Sequence, residues 1–204
     1  MCIRDRANKY LDKTIDIHSG GQDLIFPHHE NEIAQSEAAN CCQFANYWVH
    51  NGYINVDNRK MSKSLGNFFT VRDVAKEFDY EVIRFFMLSA HYRSPINFSK
   101  DLMESASSAL ERIYTCMDTL KFLKETASGE DARPEEIPVL EAVNGYKQKF
   151  IDSMDDDLNT ADAISAIFEI VSEVNKNITS ASEPSEYLIE SVSYTHLRAH
   201  ETEL

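Results

Sequence analysis

The 204-residue sequence contains no apolar run near the roughly 18 residues that a membrane-spanning helix requires. A positively charged leader followed by a hydrophobic stretch, as secreted proteins carry, is also missing. Only four cysteines occur, and the adjacent Cys41 and Cys42 cannot readily pair with each other. These absences predict a soluble cytoplasmic protein with reduced thiols and no membrane partner.

Basic residues are scarce in the second half of the chain. Residues 1–100 hold 12 lysines and arginines against 12 acidic residues, whereas residues 101–204 hold 8 against 22, which accounts for the net charge of −14. Because phosphate binding depends on clustered Lys and Arg, the second half does not offer a broad nucleic-acid surface. Any contact with a nucleic acid would be local, and the candidate side chains are those of Arg72, Arg84, Arg93, Arg112, Lys121 and Lys124.

A lysine-rich pentapeptide, Lys60-Met61-Ser62-Lys63-Ser64, lies between a strand-like and a helix-like run. Lys60 and Lys63 place two compact positive charges three positions apart on a Ser-containing loop, which suits a polyphosphate. The pattern alone is more often a solvated turn. The loop therefore indicates ATP chemistry only in combination with other signals.

A second segment, residues 16–32, reads as a strand, a turn and a helix. Asp16 to His18 is predicted to end a buried strand, the pair Gly20-Gly21 permits a tight turn close to a ligand, and Pro27 suits the first position of a helix. Nucleotides bind at such crossings in open parallel sheets. Asp23 could accept hydrogen bonds from ribose hydroxyls, or it could be an ordinary turn residue.

A helix that starts at Pro27 places His28 and Glu32 one turn apart on the same face. An imidazole and a carboxylate at this spacing can grip a single metal ion. An exposed side-chain pair is the commoner explanation of the same spacing. The two residues are thus candidates for half of a zinc site.

Taken together, these segments resemble a known family. The pentapeptide resembles the signature loop of class I aminoacyl-tRNA synthetases, and residues 16–38 resemble the zinc-bearing segment of the cysteinyl-tRNA synthetase family. The resemblance continues in order through residues 46–52, 89–95 and 154–160, and it covers about residues 7 to 178. A chance match of one motif does not produce this order.

The resemblance implies roles for particular residues and ligands. Lys60 and Lys63 would handle the ATP phosphates, with Lys63 in direct contact, while Gly21 and Asp23 would contact the adenosine side. The resemblance also implies one Zn²⁺ ion, ATP with Mg²⁺, L-cysteine and the cognate tRNA as cofactor, substrates and partners, and a monomer.

By the same resemblance, His28 and Glu32 would hold the zinc together with two upstream cysteines. Zinc suits a cysteine substrate because it binds a soft thiolate far more strongly than a hydroxyl. An apolar pocket gains only about 1–3 kcal/mol from a small difference between substrates. The metal would therefore separate cysteine from serine without an editing step.

The expected fold is the C-terminal half of an α/β nucleotide-binding, Rossmann-like catalytic domain of class I synthetases, followed by an all-α helical bundle. The predicted boundaries are 7–97 for the catalytic part and 98–191 for the tRNA-binding-type helices. Residues 1–6 and 192–204 resemble translated sequencing-adapter sequence, so both ends are expected to be non-native. The family's His-Ile-Gly-His type signature and its upstream cysteine are not found, so we expect an inactive C-terminal fragment.

Two other functions remain open from the sequence. A paralogous enzyme that joins activated cysteine to an amino-sugar in mycothiol synthesis shares the metal site and differs in its acceptor. A non-catalytic tRNA-binding module is the alternative of another class, although such a module has no need of a phosphate-binding lysine loop.

Hydrophobic periodicity and capping residues predict the helices. Thr70 is predicted to cap a short helix, and the other helices are predicted over residues 27–40, 81–89, 99–126, 139–154 and 158–178. Residues 47–56 are predicted to be extended, and residues 155–157 are predicted to favour the N-terminus of the last helix.

Overall fold

The computed structural model describes residues 3–61, 67, 69–127, 131–178 and 184–196. The chain divides into two compact units. The sheet unit contains the residues up to Phe68 together with Tyr92–Phe98, and the helical unit contains Phe69–His91 together with the residues from Ser99 onward. The predicted boundaries at 6/7, 97/98 and 191/192 remain predictions.

In its described residues, the sheet unit contains two short α-helices and five strands. These are α1 (Ile3–Tyr10), β1 (Ile15–Gly21), α2 (Glu30–Asn40), β2 (Ala45–Asn51), β3 (Ile54–Val56), β4 (Arg59–Lys60) and β5 (Ile96–Phe98). Strands β1 and β2 pair in parallel, and α2 provides the crossover that parallel strands require. A small core lies beneath them, formed by Ile15, Phe44 and Ala45, with Ile33 and Trp48 packed against it.

The hairpin of β3 and β4 leads into the lysine loop. Its two turn residues, Asp57 and Asn58, have φ angles of 47° and 61°. Positive φ at both central positions gives a turn whose twist matches that of the flanking strands, and Asp and Asn tolerate this conformation well. The hairpin pairs Lys60 with Asn55, and β5 completes the sheet in the order β4-β3-β5.

The strand–turn–helix prediction is correct in its elements and wrong at one boundary. Strand β1 continues past His18 to Gly21, because parallel pairing with β2 persists as far as Asn51. The strand is also largely open, and Ile17 is 64% exposed. The turn follows at Gln22–Leu24 instead of at the glycine pair.

The predicted helix of residues 27–40 is confirmed. Phe26 has extended dihedral angles inside the π-type turn Ile25–His29, and helical dihedral angles resume at Pro27 and continue into α2. The helix ends at Asn40, where Cys41 adopts a left-handed conformation with φ of 54° and donates its N–H to the carbonyl of Glu37.

The helical unit contains α3 (Val71–Val74), α4 (Tyr80–Leu88), α5 (Lys100–Thr126), α6 (Ile137–Asp155), α7 (Thr160–Asn177) and α8 (Glu186–His196). The side chain of Thr70 accepts a hydrogen bond from the backbone of Asp73, and Ser99 accepts one from Leu102, so both predicted helix starts are confirmed. Helix α8 was not predicted. Val192 on this helix is fully buried.

The acidic run differs from its prediction. Asp155 ends α6, and Asp157 and Leu158 form a left-handed turn before α7, which Asn159 caps by accepting a hydrogen bond from Asp162. The unexpected turn leaves Asn159, not the aspartates, next to the first N–H groups of α7.

The core of the helical unit is extensive, and α6 and α7 pack along each other. Its largest fully buried apolar side chains are those of Met103, Leu120, Ile170, Val171, Val174, Ile178, Ile189 and Val192. Arg112 of α5 lies over the ring of Phe168, 5.2 Å from its centroid, and Lys124 binds Glu190 at 2.8 Å. None of the helices in the described ranges has both the length and the apolar character of a membrane span.

Candidate functional site

Four of the seven histidines occur between residues 18 and 50. His18 lies on β1 opposite Trp48 of β2, and His50 lies on β2 opposite Gly20. The helical run that begins at Pro27 carries the other two, His28 and His29. The carboxyl ends of two parallel strands and the start of the crossover helix therefore bring imidazoles together at one edge of the sheet.

His29 is the most deeply placed of these imidazoles, with 6% of its surface exposed. Its Nδ1 lies 2.8 Å from Nε2 of His50, and the His50 ring stacks on Trp48 at an interplanar angle of 11°. Burial lowers the pKa of His29 below its ordinary value of 6.5, and the nearby His18 lowers it further. A neutral imidazole keeps a lone pair that a metal ion can bind.

A carboxylate completes the group. Nε2 of His18 lies 2.7 Å from Oε2 of Glu32 on α2. Ligand-capable atoms of His18, His29 and Glu32 all lie within 4.8 Å of one another. Imidazole nitrogens and a carboxylate oxygen are donors that zinc accepts, so the chemistry of this group fits a zinc ion.

Gly20 makes room for the histidine cluster. A Cβ atom at this position would lie 2.8 Å from Cε1 and 3.0 Å from Nε2 of His29. Distances this short between carbon and ring atoms require a neighbour to move. The same ring contacts His50 through Nδ1, so a side chain at position 20 conflicts directly with the cluster.

The predicted nucleotide contacts are adjacent in the structure. Gly21 ends β1, and a Cβ atom there would lie 2.5 Å from Oδ1 of Asp23, which stands exposed on the following turn. The turn is tied to a second segment because the side chain of Gln22 donates a hydrogen bond to the carbonyl of Arg93 at 3.0 Å.

Of the remaining predicted site residues, only Glu32 joins the histidine cluster in the described part of the chain. Glu32 belongs to the cluster, whereas His28 is exposed and lies outside the group of three among the described residues. The backbone of Lys60 is paired in β4, and Lys63 lies outside the described residues.

Sequence reasoning missed His18, His29 and His50 as members of the cluster. The available signal was the placement of His18 and His50 near the ends of two strand-like runs that could pair in parallel. Without the register, however, nothing in the sequence shows that the two side chains reach the same helix start.

The parallel strand pair with its crossover helix, the lysine hairpin and the helices that follow are the elements expected of a class I synthetase. The chain belongs to the family described as tRNA synthetases class I (C) catalytic domain, whose model matches residues 4–108. A DALR domain model matches residues 149–195.

The similar curated proteins are cysteine–tRNA ligases. The chain is 59% identical over 182 residues to that of Lachnospira eligens, 57% identical over 176 residues to that of Caldicellulosiruptor saccharolyticus, and 54% identical over 172 residues to that of Clostridioides difficile. These matches cover 84–89% of this chain and 37–38% of the relatives. The resemblance to the cysteinyl-tRNA synthetase family is thus confirmed, and the chain spans little more than a third of these relatives' length.

A solved structure shows the same fold. The LeuRS of Agrobacterium radiobacter K84, in a ternary complex with tRNA and LeuAMS, matches 91% of this chain with a TM-score of 0.74 and 20% identity, and the match covers 25% of that protein. The predicted fold class, α/β followed by a helical bundle, is confirmed.

Proposed function

We propose that this chain contributes the zinc-binding and lysine-loop part of a cysteine–tRNA ligase, a cytoplasmic monomer of protein biosynthesis. The reaction would use ATP with Mg²⁺ to convert L-cysteine to cysteinyl-adenylate and then transfer the cysteinyl group to the cognate tRNA. The observation that carries the proposal is the cluster of His18, His29 and Glu32 within 4.8 Å, in a chain 54–59% identical to cysteine–tRNA ligases.

In this proposal Glu32 is a zinc ligand. The family resemblance assigns His28 as its partner, and the geometry groups His29 with the same carboxylate. When bound, zinc would select a substrate sulfur over an oxygen, because thiolates are the softer ligands. The low exposure of His29 and its contacts with His50 and Trp48 keep an imidazole in one place at this edge of the sheet.

The nucleotide-binding residues are proposed from their position around the same edge. Gly21 would let a ligand approach the backbone at the carboxyl end of β1, and Asp23 on the next turn would accept hydrogen bonds from ribose hydroxyls. Lys60 and Lys63 would neutralise the phosphates, and the hairpin of β3 and β4 fixes where the backbone of Lys60 begins the loop.

A chimera tests the activity directly. The matching 182-residue segment of the Lachnospira eligens ligase is replaced by that of this chain, and cysteine-dependent exchange of pyrophosphate into ATP is measured. We expect exchange with cysteine and not with serine. We expect Lys63→Ala to lower the rate about 100-fold, since it removes a charge that stabilises the transition state. Lys13→Ala, an exposed lysine of the same unit, is the control.

Zinc content of the same chimera tests the ligands. Glu32→Ala should lose the metal, and separate His28→Ala and His29→Ala variants distinguish the two candidate histidines. Aminoacylation of tRNA, compared with transfer to an amino-sugar, identifies the acceptor. A chimera that folds but neither binds zinc nor exchanges pyrophosphate would contradict the proposal.

A further inference from the structure

His18 is enclosed by aromatic rings that fix its orientation. Its ring centroid lies 4.8 Å from that of Trp48 at an interplanar angle of 90°, 5.2 Å from Phe44 and 5.0 Å from His29, all edge to face. Aromatic pairs at these distances favour such edge-to-face geometry. The side chain is only 24% exposed, so the surrounding rings restrict its rotation.

The fixed ring directs one nitrogen at Glu32. Nε2 of His18 lies 2.7 Å from Oε2 of the carboxylate. An ionised carboxylate only accepts hydrogen bonds, so Nε2 carries the proton and donates it. The Nε2 atom that carries this proton has no lone pair for a metal ion, so the ring could bind a metal only through Nδ1, whereas the other oxygen of Glu32 keeps all of its lone pairs.

We propose that His18 is a positioning residue, which orients the Glu32 carboxylate for the metal and does not bind the metal itself. The inference rests on the proposed zinc site. The side chain of Glu32 is 38% exposed and has rotamer freedom that metal binding must remove. A hydrogen bond from a packed histidine removes part of that freedom in advance, as outer partners of metal-binding carboxylates commonly do.

Two substitutions separate the hydrogen bond from the packing. His18→Phe keeps a ring against Trp48 and Phe44 but removes the donor, and His18→Gln keeps an N–H donor. Co²⁺ affinity and the visible absorption bands of the Co²⁺-loaded protein are measured for each variant in the chimera with the Lachnospira eligens ligase, which also supplies the part of the relative upstream of this segment. We expect His18→Phe to weaken Co²⁺ binding by about 10–100-fold and to shift the bands, and His18→Gln to recover most of the affinity.

Matched variants define the two limits. Glu32→Ala removes a proposed ligand and should cost more affinity than His18→Phe. His91→Phe changes a histidine of equal 24% exposure that also faces an acidic residue, Asp157 at 3.7 Å, and it should leave Co²⁺ binding unchanged. Unchanged affinity in His18→Phe overturns the inference. A loss equal to that of Glu32→Ala without recovery in His18→Gln also overturns it, because His18 would then be a direct ligand.

The metal-free chain provides an independent readout. The ¹⁵N chemical shifts of His18 should show the proton on Nε2 in the wild-type chain, and they should change in Glu32→Ala. A proton on Nδ1 instead, or shifts that ignore Glu32→Ala, overturns the inference whatever the metal does. A chimera that binds no Co²⁺, while the chain shows the expected shifts, contradicts the proposed zinc site but leaves the hydrogen bond by which His18 orients Glu32.

Discussion

The two units use their buried residues differently. Among its described residues, the sheet unit has a core of three buried apolar side chains, and His29 is buried to a similar degree. The helical unit buries apolar side chains from α5, α6, α7 and α8. Apolar burial is the main source of folding stability, so the helical unit has a large stabilising core. The sheet unit instead buries the imidazole of His29 beside its smaller core. The proposed metal ligands and the larger apolar core thus belong to different units.

The largest expected effect is in the helical core. Ile170 on α7 is 1% exposed, so Ile170→Ala removes buried methyl groups and leaves a cavity. We expect the free energy of unfolding of the helical unit to fall by about 3 kcal/mol, measured by urea denaturation monitored by helix circular dichroism. Phe122→Ala, at a position 65% exposed, should cost far less. Equal losses would show that the buried core does not dominate.

A buried carboxylate gives the next effect. Glu136 is 6% exposed and accepts hydrogen bonds from the backbone N–H of Arg133 at 2.9 Å, the backbone N–H of Ser185 at 2.8 Å and the Ser185 hydroxyl at 2.6 Å. Glu136→Gln replaces an acceptor oxygen by a donor. We expect a loss of about 2 kcal/mol in the same denaturation experiment.

Glu136 also makes the stability of the helical unit depend on pH in the acid range. Burial alone would raise the pKa of Glu136, but the hydrogen bonds from Ser185 and Arg133 together hold it below its ordinary value of 4.5. The folded state therefore binds fewer protons than the unfolded state just below pH 4.5, and the stabilisation present above this pH is lost as the pH falls further. Glu136→Gln should flatten this decline, and an unchanged profile would contradict the assignment.

Two glycines offer a matched test of the histidine cluster. Gly20→Ala should destabilise the sheet unit by about 1–2 kcal/mol, because its Cβ would lie 2.8 Å from the ring of His29. Gly145→Ala on α6 should stabilise the helical unit by about 0.5–1 kcal/mol, since a Cβ there meets no described atom within 4 Å and Ala favours the helix. Thermal unfolding of both variants measures the opposite signs. A stabilising Gly20→Ala would contradict the close approach.

The smallest expected effect is a difference between the two units in how their stability depends on pH. Burial, with a contribution from His18, lowers the pKa of His29 below 6.5, so the unfolded chain binds more protons between that lowered pKa and pH 6.5. The sheet unit should lose stability as the pH falls below 6.5, where the helical unit is unaffected by Glu136. Hydrogen exchange of β1 and β2 amides against α7 amides, from pH 7.5 to 5.5, measures the difference. His29→Phe should remove it.

Local rules predicted most of the helical unit. Thr70 and Ser99 have the sequence context of N-caps, and the apolar spacing of α5 and α7 reports a buried face directly. Helix α8 was missed, and only its last residues, from Val192 onward, lie in the tail that resembles foreign sequence. Its buried Leu188, Ile189 and Val192 are nonetheless spaced as a helix face.

The sheet unit was less predictable because its site depends on pairing. Glu32 was recognised from its position one turn after His28. The contacts between His18 and Glu32 and between His29 and His50 cross 14 and 21 residues, and they depend on the register of β1 with β2. Spacing along one element cannot reveal such contacts, since each requires a second element to be placed first.

The hydrogen bonds of Glu136 join residues 49 positions apart, at the start of α6 and just before α8. Ser185 also caps α8, because its hydroxyl oxygen accepts a hydrogen bond from the N–H of Leu188. The Glu136 carboxylate and the Ser185 hydroxyl therefore connect the start of α6 to the start of α8 without a covalent bond. These hydrogen bonds and the packing of α8 against α5 and α6 together offset the entropy of closing this 49-residue loop. A protease cut between the two residues would therefore leave the pieces associated through helix packing, and acid would remove only the contribution of the Glu136 carboxylate.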